Sequence, residues 1–67
     1  MTIGTVKFVN YPKGFGFISG HDGVDVYVST TDIEGPGLLE AHMTVEYERV
    51  ANRKYPDKWR AKTVRRI

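Results

Sequence analysis

Phe15-Gly16-Phe17-Ile18, Gly20-His21-Asp22-Gly23 and Val24-Asp25-Val26-Tyr27-Val28 decide how this chain folds. The middle segment is turn chemistry between two short runs of β-favouring residues, so the three together read as a hairpin. Side chains alternate across a strand, and in the second run Val24, Val26 and Val28 share a face. That face belongs to the core, because the opposite choice would bury Asp25. Tyr27 then points outward. In the first run Ile18 and Gly16 share one face, and Phe15 and Phe17 share the other. With Ile18 buried, both phenylalanines stand outside, and antiparallel pairing sets them beside Tyr27. Exposed phenylalanine is disfavoured unless something covers it. An aromatic face of this kind stacks on nucleic-acid bases at roughly 1–3 kcal/mol per base.

Working outward, Thr5–Val9 reads as a first strand and Asn10-Tyr11-Pro12-Lys13-Gly14 as a turn. Thr31-Asp32-Ile33 suits a single helical turn. Gly35-Pro36-Gly37 suits neither a helix nor a central strand. Met43–Val50 alternates as a fourth strand, Asn52–Asp57 is a polar loop, and Trp59–Val64 is a fifth strand. Five short strands in 67 residues leave little room for a two-sheet sandwich. A curved, nearly closed barrel buries more per residue and removes the sheet edges. The expectation is one all-β domain over residues 1–67.

A chain this short has a small core, and it has no cysteine with which to staple it. His21 and His42 could not build a metal site without distant carboxylates, so neither metal nor cofactor is expected. His21, Asp22 and Asp25 form no nucleophile–base–orienter set, and no catalytic residue is assigned. Gly14-Phe15-Gly16 is not a phosphate loop, because no Lys-Ser/Thr pair opens a helix after it. No apolar run approaches the ~18 residues of a membrane span, and no secretory signal is evident. The expected setting is therefore the cytoplasm, with no membrane and no small-molecule substrate, and the expected state is a monomer.

The net charge of +2 conceals a segregation. Residues 1–48 set Lys7 and Lys13 against Asp22, Asp25, Asp32, Glu34, Glu40, Glu46 and Glu48. Residues 49–67 set Arg49, Arg53, Lys54, Lys58, Arg60, Lys62, Arg65 and Arg66 against Asp57 alone. The basic tract either pairs with the acidic strands or meets a polyanion; full pairing would leave a surplus at that end.

Lys13-Gly14-Phe15-Gly16-Phe17-Ile18 resembles the first ribonucleoprotein motif of the cold-shock proteins and cold-shock domains. Gly4-Thr5-Val6-Lys7, an aromatic and Asn10 resemble that family's first strand, and Asp25-Val26-Tyr27-Val28 its second motif. The resemblance implies a five-stranded antiparallel oligonucleotide-binding barrel that binds single-stranded RNA or DNA with low specificity and opens RNA secondary structure without catalysis. It carries binding roles to Lys7, Phe8, Lys13, Phe15, Phe17 and Tyr27. Lys58, Trp59 and Arg60 join them as candidates from the basic tract. The chain departs from the family pattern at Phe8, usually Trp, at Val9, usually Phe, and at Ser29-Thr30, usually His-Phe. Leu38 or Leu39 stands where another aromatic is common. The stacking surface is therefore expected to be reduced, and the grip more electrostatic. Two other functions fit the same barrel: binding structured RNA on the ribosome, as initiation-factor-like domains do, and docking a protein on the reduced aromatic face.

Overall fold

A computed structural model describes residues 1–35, 38–55 and 58–67. The strands are β1 (Thr2–Asn10), β2 (Phe15–Gly20), β3 (Asp25–Ser29), β4 (Thr44–Ala51) and β5 (Trp59–Arg66), with a 3-10 turn at Thr30–Asp32 after β3. They close into a barrel in the order β1-β2-β3-β5-β4. The expected five strands are all present. β1 is longer at both ends than its apolar run suggested, and β5 continues to Arg66. β3 opens at Asp25 rather than Val24, whose carbonyl instead accepts from the Gly20 amide at 2.9 Å to close the turn. Neighbouring strands pair antiparallel except at the closure, where β3 and β5 run parallel through Tyr27↔Arg60 and Val28↔Ala61. Pro36, Gly37, Pro56 and Asp57, within the loops read from sequence, lie outside the described residues.

The core consists of Val6, Ile18, Val26, Val28, Leu39, Val45, Tyr47, Ala61 and Val64. Ile18 pairs with Val6 on one side and Val26 on the other, so three strands present their inward side chains at one level. Of the two candidate loop leucines, Leu39 is buried in this cluster and Leu38 is 65 % exposed. The Leu39 amide donates to the Tyr11 hydroxyl at 2.7 Å, which ties the long connection back to the first turn.

Two irregularities shape the barrel. Between Val6↔Ile18 and Phe8↔Phe17, β1 advances two residues while β2 advances one, so β1 carries a bulge at Lys7. A bulge of this kind moves the following side chains to the opposite face. Val6 is buried, Phe8 points outward and Val9 packs against the core. Between Glu46↔Arg65 and Glu48↔Lys62 the extra residue lies on β5, where Thr63 has φ 55°. A β-branched side chain is rare in that left-handed region. Gly16 lets β1 and β2 cross closely, since a Cβ there would lie 2.5 Å from the Phe8 carbonyl oxygen.

Candidate nucleic-acid interface

Bulge, register and hairpin together build one aromatic surface. Phe8, Phe17 and Tyr27 occupy paired positions on three adjacent strands, and Phe15 precedes them on β2. The ring centroids lie 5.7 Å apart for Phe8–Phe17, 5.9 Å for Phe17–Tyr27, 6.1 Å for Phe15–Tyr27 and 6.2 Å for Phe8–Phe15 and Phe15–Phe17. Most pairs are tilted or edge-on, while Phe15 and Tyr27 are nearly parallel at 11°. Such contacts hold each ring in place beyond what its own strand provides. Phe15, Phe17 and Tyr27 are half-buried at their edges, and Phe8 is 45 % exposed. The structure thus brings together Phe8, Phe15, Phe17 and Tyr27, the four rings to which the resemblance carried binding roles.

The two flanking lysines differ. Lys7 donates to Asp25 at 2.9 Å, with both side chains about half exposed. An open pair of this kind contributes little and exchanges readily for another anion. Lys13 projects from the first turn, which is fixed by the amides of Lys13 and Gly14 donating to Asn10. Gly14, with φ 81°, supplies the backbone that this turn requires.

Beside that turn, the Ser29 hydroxyl and the Thr30 amide are committed to backbone work. The Ser29 hydroxyl caps the 3-10 turn, accepting from the Thr31 amide at 3.4 Å, and the Thr30 amide donates to the Gly14 carbonyl at 3.1 Å. The aromatic surface ends there.

On the other side it continues. A groove of about 760 Å³ is lined by Phe17, Asp25, Tyr27, Asn52, Lys54, Tyr55, Lys58, Trp59 and Arg60. The parallel pair β3–β5 places Arg60 beside Tyr27, with Trp59 one residue before it. Trp59 is 41 % exposed, and the Arg49 guanidinium sits 4.9 Å from the centre of its ring. Arg49 in turn donates to Asp22 at 2.7 Å, and that hydrogen bond holds the Asp22 carboxyl below its ordinary value. The Asn52 side-chain oxygen accepts from the amides of Lys54 and Tyr55, and the Lys58 amide donates to the Tyr55 carbonyl. These bonds brace the loop that carries Tyr55. Asn52, Lys54 and Tyr55 were not singled out from the sequence. The available signal was an aromatic interleaved with lysines in the basic tract.

Part of that tract is internally paired, as one of the two readings of the charge pattern required. Arg49 meets Asp22, Arg60 meets Asp32 at 3.8 Å and Arg65 meets Glu34 at 3.2 Å. Lys13, Arg53, Lys54, Lys58 and Lys62 make no ion pair among the described residues. Of these, Lys54 and Lys58 line the groove and Lys13 stands on the first turn.

The 'Cold-shock' DNA-binding domain model matches residues 2–67. The chain belongs to the cold-shock domain family. It is 43 % identical over 67 residues to the probable cold shock protein A of Mycolicibacterium smegmatis, covering 96 % of this chain and all of that protein. It is 45 % identical over 58 residues to the cold shock-like protein CspLB of Listeria monocytogenes and, equally, to the cold shock protein CspD of Bacillus subtilis, covering 84 % of this chain and 88 % of each relative. As a cold-shock domain the protein binds nucleic acid, and the resemblance carried by the two motifs extends over nearly the whole chain. Among the described residues, no helix is long and apolar enough to cross a membrane.

Proposed function

We infer that the protein binds single-stranded RNA or DNA with little sequence preference and works as a monomeric, one-domain nucleic-acid chaperone in the cytoplasm. The observation that carries this reading is the cluster of Phe8, Phe15, Phe17 and Tyr27, each ring within 6.2 Å of at least two others. A base in a duplex is stacked on both faces and offers no free π-surface to such a cluster. A base in an open strand does, and every base has such a face, which gives binding without readout. Opening of RNA structure then needs no catalysis. Each transiently exposed strand is captured on the rings, and the equilibrium shifts by the difference in affinity between open and closed forms.

Lys7 and Lys13 supply positive charge beside the rings, and Lys58, Trp59 and Arg60 extend the surface across β5. The solvent-exposed Lys7–Asp25 pair lets Lys7 turn from its carboxylate to a phosphate at small cost.

The test is a titration with a pyrimidine-rich single strand, a hairpin that carries the same segment paired in its stem, and the duplex with its complement, followed by chemical-shift mapping. The expected outcome is a preference for the open strand, with the largest shifts at Phe15, Phe17 and Tyr27. Equal affinity for all three forms would overturn the reading and favour recognition of structured RNA by phosphate alone.

A further inference from the structure

The aromatic row does not stop at β3. Phe8, Phe17 and Tyr27 are paired across β1, β2 and β3, and the next strand in the barrel is β5, where Arg60 is the partner of Tyr27. Arg60 and Tyr27 point to the same outer side, because the following pair, Val28 and Ala61, is buried. At this end stand Trp59 and Tyr55, 41 % and 54 % exposed and outside the core cluster. Neither ring is required to close the barrel, yet both line the same groove as Phe17 and Tyr27. Its volume of about 760 Å³ lies in the roughly 300–1,000 Å³ range of small-molecule clefts.

The charge fits the same occupant. Lys54 and Lys58 line the groove without an ion pair among the described residues, the Lys54 ammonium 5.7 Å from the centre of the Tyr55 ring, and Asp25 is the one carboxylate among the described lining residues. A groove with aromatic walls and a surplus of cations suits alternating bases and phosphates. Its Trp59 wall is preset: Arg49 packs on the indole and is itself held by Asp22. A ring that is already placed loses less freedom when a base lands on it.

We propose that Tyr55 and Trp59 form a second base-stacking subsite, with Lys54 and Lys58 on the adjoining phosphates, for a strand whose other bases lie on Phe17 and Tyr27. This rests on the single-strand reading above and adds a direction to it. The strand leaves the platform over β5 and the β4–β5 loop, not over Ser29, Thr30 and Leu38, where the rings end.

Trp59 is the only tryptophan, so its emission reports on the groove alone. The experiment titrates the full chain with oligothymidylates of about four and about ten nucleotides, within the span of site sizes of such barrels. The longer strand quenches Trp59 and the shorter one, held on the platform, does not. Tyr55→Ala weakens the longer strand about fivefold or more and leaves the shorter one unchanged, whereas Phe17→Ala weakens both. Trp59→Phe, which keeps a ring, retains the length dependence that Trp59→Ala removes. Phe17-dependent binding of the longer strand with Trp59 emission unmoved and Tyr55→Ala silent overturns the subsite and leaves the single-strand reading intact. Failure of both lengths to bind at low salt overturns the two together.

Discussion

The surface over β1–β3 and the surface over β4–β5 are built by different means. The first is four rings in mutual contact on paired strand positions, with Lys7 held by a carboxylate. The second is two well-exposed rings among lysines, on a strand end and a loop braced by Asn52. Mutual packing makes the first a fixed platform, which suits stacking, since stacking demands flat surfaces already in place. The second has more charge and less contact, which suits phosphate, since the Coulomb attraction needs position only to within a few ångströms. On the proposed reading, the difference assigns stacking to one part of a small barrel and salt-dependent phosphate attraction to another.

The largest effect is expected from breaking the platform at its centre. Phe17 touches Phe8, Phe15 and Tyr27, so Phe17→Ala removes a stacking surface and loosens three others. Binding of a single strand, followed by fluorescence anisotropy, should weaken by about 1–3 kcal/mol, roughly 5- to 150-fold. The ring is only half-buried and lies outside the core cluster, so cooperative thermal unfolding should persist. Loss of the folded state on this substitution would assign Phe17 to the core and end the comparison.

That platform was partly legible in the sequence, and the limits are physical. Val26 and Val28 on one side of β3, with Val24 just before it, and a carboxylate on the other gave the outward sense of Tyr27, and Ile18 did the same for Phe15 and Phe17. Phe8 is different. Strict alternation from buried Val6 sends it inward, and only the bulge at Lys7 brings it out. A bulge leaves no hydrophobic signature, so the family resemblance, not the periodicity, pointed to Phe8. The β5 bulge was equally hidden, because threonine at φ 55° is a poor advertisement for a left-handed residue. Charge segregation was visible, yet the pairing of Arg49, Arg60 and Arg65 with Asp22, Asp32 and Glu34 depends on contacts between residues 27 to 31 positions apart. Tyr55 escaped notice because its loop has no periodicity to place it.

Neutralising the second surface should leave the platform and change the response to salt. The combined Lys54→Gln, Lys58→Gln and Lys62→Gln variant removes three cations that make no ion pair among the described residues. If each contacts a phosphate, the slope of log affinity against log salt becomes shallower by about two, at about 0.7 per contact for a single strand. Affinity at low salt falls, and the Phe17→Ala penalty is unchanged. An unaltered slope would move the electrostatic grip elsewhere, to Lys13 and the first turn.

The smallest effect concerns neither surface, and so tests whether stability and binding are separate. Tyr47 is fully buried, and its hydroxyl has no hydrogen-bond partner among the described residues. Leaving a hydroxyl unsatisfied costs about 1–3 kcal/mol, so Tyr47→Phe should stabilise the barrel by about 1 kcal/mol once the small void it leaves is counted. Burial also pushes the Tyr47 hydroxyl above its ordinary value of 10.0. The unfolded chain therefore releases this proton first as the pH rises. The contribution of the neutral buried hydroxyl is intact below about pH 10 and is lost progressively above it. Phenylalanine has no such proton. The advantage of Tyr47→Phe in denaturant titrations should thus be constant near neutral pH and widen in alkali, while affinity for a single strand does not move. A variant whose advantage shrinks above pH 10 would mean that the hydroxylate is stabilised inside the barrel, and that Arg49, the charge which lowers this group, outweighs its burial.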